Sequence, residues 1–266
     1  MRTLLLAALL VPSFDSPPPA QAKADLRPKF QKFDRIAVGC TITTEIKSSN
    51  NRDSKHKMEL ELTAEVEKAE GETAVFDCGV TSLKISGTLD GKPVDGIWRK
   101  GSSPDRKIPG VEKAIEKGWK VTLSRKGVSL GDTMVEFGDS LPIFNPGVLL
   151  GLSVPLPFDP VAEGKGWEVK DQSYSYFGGF GFKAAATLNV LEKDTARISA
   201  KLTFSRAENE IPVDGVVNVK GDGYASLEYD LKSGRPVKGA TSVRISAGQG
   251  GLKRDVTQVI EFEVRR

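Results

Sequence analysis

The sequence predicts a mainly β (α+β) fold made of two related antiparallel, curved, half-barrel-like β-sheet units with one or two short helices between them. Three observations support this prediction. The 266 residues include 27 glycines and only 7% aromatic residues, a composition that favours strands joined by tight turns. Apolar and polar residues alternate over long stretches in both halves. Hydrophobic residues make up 39% and charged residues 27%, as expected for sheets with one buried and one water-facing side.

The first half begins with a predicted antiparallel meander. The alternating stretches are 36–46, 58–66 and 73–80. The polar segment 48–53 is typical of a hairpin tip. Because Leu83 and Ile85 change the parity of the pattern, we expect a β-bulge near Gly79. Three Asp-Gly dipeptides indicate further turns. They are Asp90-Gly91, Asp95-Gly96 and Asp222-Gly223.

The middle of the chain has a different pattern. Residues 105–117 carry apolar side chains at helical spacing before Gly118, which predicts a helix. Asn145 and Pro146 are suited to the start of a second short helix. Three prolines within 155–160 indicate a stiff connector.

The second half resembles the first. A strand, turn and strand around 191–197 correspond to those around 66–75, which indicates either an internal repeat or a chance likeness between ordinary strands; the repeat is the interpretation adopted. A later hairpin is predicted to turn at 232–234, and a last strand ends the chain. The predicted division is a signal peptide at 1–22, a first β-meander unit at 23–154, the connector at 155–160 and a second β-meander unit at 161–266.

The N-terminus has the features of a cleavable signal peptide. Arg2 precedes an apolar run at 4–11, and Ala20-Gln21-Ala22 provides a small-x-small cleavage site before Lys23. The run is shorter than the about 20 residues that span a bilayer, and no later segment is more apolar. We therefore expect an exported, periplasmic or extracellular protein with no transmembrane segment in the mature chain. No cysteine stands at the cleavage site, so a lipid anchor is not expected.

A short phrase begins the second unit. It consists of Leu156-Pro157 followed by Val161, Gly164, Lys165, Gly166 and Trp167. With the exported start and the duplicated meander, it resembles an uncharacterised exported bacterial family, domain of unknown function 6263. The sequence departs from that family at Lys165 and in retaining only Met58 of a Met-rich early strand. The resemblance implies no activity or catalytic residues. The curved sheets are similar, at the level of fold, to periplasmic lipoprotein carriers.

The residue types that carry catalysis are sparse. The 38 basic and 35 acidic side chains are scattered, which does not indicate a nucleic-acid-binding surface. The single histidine, His56, stands between two lysines beside a polar hairpin and is interpreted as a solvated strand end. One histidine excludes a multi-histidine zinc site. We expect no enzymatic activity, no metal and no cofactor; a hydrolase would require a cleft that gathers perturbed carboxylates.

Two cysteines in an exported chain leave two alternatives open. Cys40 and Cys78 both fall at inward-facing positions, and a disulfide between them fits an oxidising compartment. The expected register instead places them two strands apart, at roughly 10 Å, whereas a disulfide requires Cα atoms within about 7 Å. Two buried thiols are the alternative.

Two apolar segments are candidates for a ligand-binding site. One has five aromatic residues among glycines, which either line a cavity or fill the core of a bulged strand. The other is 148–152, either a lid over a concave sheet or a short core helix. The candidate ligand-binding residues are Tyr174, Tyr176, Phe177, Phe180, Phe182, Leu149 and Leu150.

Two functional hypotheses follow. In the first, the protein is a non-enzymatic binding module that holds a lipid or other hydrophobic ligand, which requires an apolar cavity inside the curved sheets. In the second, it is a structural or protein-interaction component of the cell envelope without a small ligand, which requires an exposed strand edge or apolar patch and an envelope partner.

Overall fold

The structure, a computed structural model, describes residues 22–50, 52–102, 118–124, 153–175, 178–206, 216–249 and 252–265. Within these ranges, every element of regular secondary structure is a β-strand. The strands are β1 (Lys23–Ala24), β2 (Arg35–Ser48), β3 (Ser54–Glu70), β4 (Thr73–Leu89), β5 (Lys92–Arg99), β6 (Trp119–Ser124), β7 (Val161–Ala162), β8 (Gly166–Ser175), β9 (Gly178–Leu191), β10 (Thr195–Arg206), β11 (Val216–Asp230), β12 (Arg235–Gln249) and β13 (Leu252–Arg265). The predicted β fold is confirmed. Residues 1–21 of the predicted signal peptide and both predicted helices lie outside the described residues.

Eleven of these strands form one curved antiparallel sheet, in which ten follow the order β5-β4-β3-β2-β13-β12-β11-β10-β9-β8 and the eleventh, β6, lies off this path. Strand β6 pairs with the first part of β4, and β5 pairs with the last part. Strands β1 and β7 form a separate two-stranded sheet. The two meanders meet where β2 pairs with β13, over Ala37–Ser48 and Arg254–Arg265. The first and last long strands therefore lie side by side at the centre of one continuous sheet.

The predicted bulge is present close to its expected position. The register between β3 and β4 shifts after Glu61, whose partner is Ser82, because Leu62 pairs with Val80 and Thr81 has no opposite residue. The Thr81 hydroxyl donates to the Glu61 carbonyl at 3.1 Å. The bulge restores Leu83 and Ile85 to the buried face, which explains the parity change in the sequence.

Only one of the three predicted Asp-Gly turns is present. Asp90 and Gly91 connect β4 to β5 with φ values of 49° and 76°, as a two-residue hairpin requires. The other two assignments were wrong, because Asp95-Gly96 lies within β5 and Asp222-Gly223 within β11. At Gly223 the sequence requires glycine for a different reason, the close approach of a neighbouring strand.

At two positions of β11, the backbone of β12 lies too close to leave room for a side chain. A Cβ atom at Gly223 would lie 2.4 Å from the carbonyl oxygen of Ser242. A Cβ atom at Gly221 would lie 2.5 Å from that of Arg244. Glycine at such positions lets a sheet bend sharply. These two residues therefore contribute to the curvature of the sheet.

Replacing Gly223 with alanine is expected to lower the free energy of unfolding by about 1–3 kcal/mol, because backbone must shift to admit the new methyl group. The matched control is Gly79→Ala in β4, where a Cβ atom would meet no atom within 4 Å. That control should leave stability unchanged or slightly raised. Urea denaturation of both variants measures the difference, and equal effects would contradict the close-approach explanation.

The two faces of the sheet differ in chemistry. The inner face carries most of the buried apolar side chains. The outer face carries exposed ion pairs such as Lys57–Glu59 at 2.7 Å and Lys120–Glu67 at 2.6 Å. Exposed pairs each contribute less than about 1 kcal/mol, so their importance here is that this face is in water. Among the described residues, no helix is long and apolar enough to cross a membrane.

The sheet has two ends, which we name by their turns. The proximal end has the turns between β3 and β4, β9 and β10, and β11 and β12; the distal end has the turns between β2 and β3 and between β4 and β5. The segment 25–34 is bonded to the proximal end, where the Phe33 amide donates to the Val66 carbonyl at 2.8 Å. Leu26 is buried there, and the Phe30 ring packs edge-on against Phe76 with centroids 4.9 Å apart.

The predicted connector is partly a core element. Residues 158–160 are exposed and irregular, but Leu156 is fully buried. The Trp167 indole N–H donates to the Pro155 carbonyl at 2.9 Å. Just before the connector, the Ser153 hydroxyl donates to the Ser226 carbonyl at 2.6 Å. These contacts attach the segment to the sheet, so its first half packs in the interior instead of only linking two units.

Candidate ligand-binding site

The ligand-binding residues predicted from the sequence lie at one end of the fold or outside its described part. Tyr174 lies in β8 opposite Gly179, while Phe180 and Phe182 lie in β9. These positions are near the β8–β9 connection, at the distal end. The placement of these three side chains is not described. Tyr176, Phe177, Leu149 and Leu150 lie outside the described residues. A ligand contact at these seven positions stays a prediction.

A row of polar side chains crosses the inner face near the distal end. Thr44 of β2 is directly opposite His56 of β3 and, on its other side, directly opposite Gln258 of β13. All three side chains are buried: the exposed fraction is 2% for His56 and 1% for both Thr44 and Gln258. The Gln258 side-chain amide donates to the Thr44 hydroxyl oxygen at 3.1 Å. We call these three residues the polar row.

The position of His56 corrects the prediction of a solvated strand end. Strand β3 begins at Ser54, so His56 has the same inward parity as Met58 and Leu60. Neither ring nitrogen has a hydrogen-bond partner within the described part of the chain. Burial lowers the pKa of His56 to about 4, so the imidazole is neutral at neutral pH. The residue opposite it in β4 is Gly87, which has no side chain to offer a partner.

Two further buried hydroxyl groups share this environment. The Ser48 hydroxyl, at the distal end of β2, and the Thr241 hydroxyl in β12 also have no hydrogen-bond partner among the described residues. A buried polar group without a partner costs about 1–3 kcal/mol. Such groups usually bond to ordered water or to a ligand. Three of them on one inner face are the strongest indication of a binding site in the described fold.

Small side chains occupy the middle of the same face. Ala186, Ala200 and Ala225 lie side by side on β9, β10 and β11, and all three are buried. We call them the alanine row. It continues across β12 to Thr241 and across β13 to Ile260. Small side chains are confined to this one row, because the buried residues on either side of it in the same strands, such as Leu188, Leu202 and Leu227, are bulky.

The described interior has no buried charge. Its buried polar residues are serines, threonines, one glutamine and one histidine. The first three types carry no charge, and His56 is neutral because burial lowers its pKa. Arg254, opposite Ser48, is a half-buried charged residue of the inner-face parity. No group of three or more His, Cys, Asp or Glu residues in the described ranges is arranged to hold a metal ion.

The carboxyl groups with shifted pKa values lie on the surface. The Arg27 guanidinium hydrogen-bonds to Asp25 and lowers the pKa of that carboxyl to about 2. Hydrogen bonds from Lys57 and Arg265 lower the pKa values of Glu59 and Glu61. These are the expected shifts of exposed ion pairs. Neither glutamate has the raised pKa of a general acid in an apolar cleft.

The two cysteines are buried free thiols. Cys40 pairs with Leu60, whereas Cys78 pairs with Ala64, so strand β3 separates them and they are not in the same row. The disulfide alternative therefore does not describe this structure. Burial raises the pKa of each thiol to about 12, which disfavours the reactive thiolate.

Comparisons with known proteins add little to these observations. No protein-family model matches the sequence, and no curated protein matches it. The solved structures with detectable similarity include Pseudomonas aeruginosa OpdK with vanillate, at 12% identity and a TM-score of 0.17. An improved structure of Pseudomonas aeruginosa OccK1 (OpdK) has 11% identity and a TM-score of 0.16. Both matches cover 82% of this chain and 64% of the other.

The chain thus spans less than two thirds of the length of those solved proteins. TM-scores at this level do not indicate a shared fold. The resemblance to domain of unknown function 6263 stays a prediction.

Proposed function

We propose that this protein is a non-enzymatic binding module that holds a lipid or other hydrophobic ligand against the inner face of its curved sheet. The observation that supports this proposal is the buried, unpartnered imidazole of His56 within a mostly apolar interior. Ligand sites typically combine apolar walls with a few polar groups that fix the orientation of the ligand. The polar row supplies the polar groups, and the inner faces of the surrounding strands supply the walls.

The geometry suggests an orientation for the ligand. Its apolar body would lie along the alanine row, and its polar end would point towards the polar row at the distal end. The proposed site of action is the periplasm or the extracellular space, with the protein free of a lipid anchor. Lys23, the expected first residue after signal cleavage, is also the first residue of β1, so the expected mature chain retains all of the described strands.

The test is a titration of the purified protein with N-phenyl-1-naphthylamine, a probe whose fluorescence rises in apolar surroundings. Saturable binding with one site per chain is expected, together with a co-purified lipid in native mass spectra. The matched variants are Ala186→Phe, which points into the interior, and Ala185→Phe, one residue away on the exposed face. Only Ala186→Phe should reduce binding, because its ring would occupy the ligand's space.

A different outcome would overturn the proposal. If the interior is a completely filled core, the wild-type protein will not bind the probe saturably, and Ala186→Phe will destabilise the fold by about 1–3 kcal/mol through overpacking. The role of a structural or interaction component of the cell envelope would then be favoured.

A further inference from the structure

We infer that the ligand carries an uncharged polar end with both a hydrogen-bond donor and an acceptor, such as a hydroxyl or an amide, on an aliphatic body. This inference rests on the proposed function and specifies the ligand class for the same site. It follows from the hydrogen-bonding capacity of the polar row and from the absence of buried charge in the described interior.

The hydrogen-bonding capacity of the site includes donors and acceptors. A neutral imidazole has one N–H donor and one nitrogen acceptor, and both nitrogens of His56 lack a partner among the described residues. The Thr44 hydroxyl accepts from Gln258 and retains its own O–H as a donor. The Ser48 and Thr241 hydroxyls can each donate and accept. A hydroxyl or a carboxamide on the ligand would satisfy both types of group.

Charged ends fit this site less well. A carboxylate accepts hydrogen bonds and an ammonium donates them, so each would leave one kind of protein group without a partner. A buried ion also requires an opposite charge to offset its loss of hydration. Every ion pair with both partners in the described ranges has exposed or half-exposed side chains, and Arg254 already has an interaction of its own. A carboxylate would need protonated His56, which burial opposes.

The experiment compares ligands that share one lauroyl or lauryl chain and differ in the polar end. Monolaurin carries hydroxyls, lauramide a carboxamide, laurate a carboxylate and laurylammonium a cation with N–H donors. Each competes with N-phenyl-1-naphthylamine for the wild-type protein at neutral pH. We expect monolaurin and lauramide to displace the probe at concentrations at least about tenfold lower than laurate or the cation.

Two variants assign the preference to the polar row. His56→Leu removes both ring nitrogens and should abolish the preference for monolaurin and lauramide over laurate and the cation. His56→Gln retains a neutral donor and acceptor and should keep most of it. Near-ultraviolet circular dichroism confirms that each variant is folded. Because the chain has a single histidine, one set of imidazole NMR signals reports directly on the site, and monolaurin should shift it.

The outcomes separate the two proposals. If no probe or lipid binds saturably, the proposed function is wrong and this inference is wrong with it. If all four ligands bind equally, or laurate binds most tightly, the function stands and the neutral-end inference is wrong. The inference is also wrong if His56→Leu keeps the wild-type order of affinities without any shift of the wild-type imidazole signals, because His56 would then bond only to ordered water.

Discussion

Replacing Phe76 with alanine is expected to lower the free energy of unfolding by about 3–5 kcal/mol, the range for removing a fully buried aromatic ring. Phe76 has no exposed surface and pairs with Val66 on one side and Val121 on the other. Its ring also meets the edge of the Phe30 ring, and Phe30 belongs to the segment that covers the proximal end. The substitution would therefore leave a cavity and weaken the attachment of that segment.

Urea denaturation measures this loss, and limited proteolysis should show faster cleavage within 25–34 in the variant. Tyr224→Ala is the matched control, since Tyr224 is an aromatic residue of a long strand with 64% of its surface exposed. It should change stability by at most about 0.5 kcal/mol. A double-mutant cycle with Phe30→Ala should give a coupling of about 0.5–1.5 kcal/mol. A loss for Phe76→Ala no larger than for Tyr224→Ala would contradict the assigned core.

Most local elements of this fold can be predicted from the sequence because alternation has a period of two wherever one face of a strand is buried. The hairpin at 232–234, the tip at 48–53 and the bulge at Thr81 all follow from this pattern and from local turn chemistry. The pairing of β2 with β13 is different. It brings together two strands from opposite ends of the described chain, and no local sequence pattern specifies that these two strands pair.

The sequence does contain a signal for the polar row, namely the inward parity of its three residues, but it was outweighed by local charge. Thr44 lies between Ile42 and Ile46, and Gln258 lies between Val256 and Ile260, each at an inward position of an otherwise apolar series. His56 extends the inward series of Met58 by one step towards the hairpin. The neighbouring lysines suggested exposure, but neighbours in a strand point to the opposite face. Parity was a better guide to burial than local charge.

The turns at Asp95-Gly96 and Asp222-Gly223 show the opposite error. The dipeptide favours a tight turn, but a long strand can contain glycine where a neighbouring backbone approaches closely. At Gly223 the carbonyl oxygen of Ser242 takes the space of a side chain. Only the three-dimensional arrangement distinguishes these two uses of glycine.

Acidification is expected to destabilise the protein well above the pH at which its carboxyl groups titrate. His56 has an ordinary pKa of 6.5 in the unfolded chain and about 4 in the fold, because burial disfavours the imidazolium. Between these values the unfolded chain binds a proton that the folded protein does not, so stability falls as the pH is lowered. The contribution of neutral His56 to stability is fully present above about pH 6.5. By pH 5 the free energy of unfolding has fallen by about 2 kcal/mol.

The single histidine makes this prediction specific. The pKa values of Glu168 and Asp255 are lowered by hydrogen bonds from Lys183 and Ser246, so their effects appear only below about pH 4.5. Urea denaturation at intervals from pH 7 to pH 5 should show the loss in the wild-type protein. His56→Leu, which cannot titrate, should show a nearly flat profile over that interval. A flat profile for the wild type would mean that His56 takes up its proton as readily in the fold as in the unfolded chain, and the neutral, buried imidazole on which the proposed site depends would be wrong.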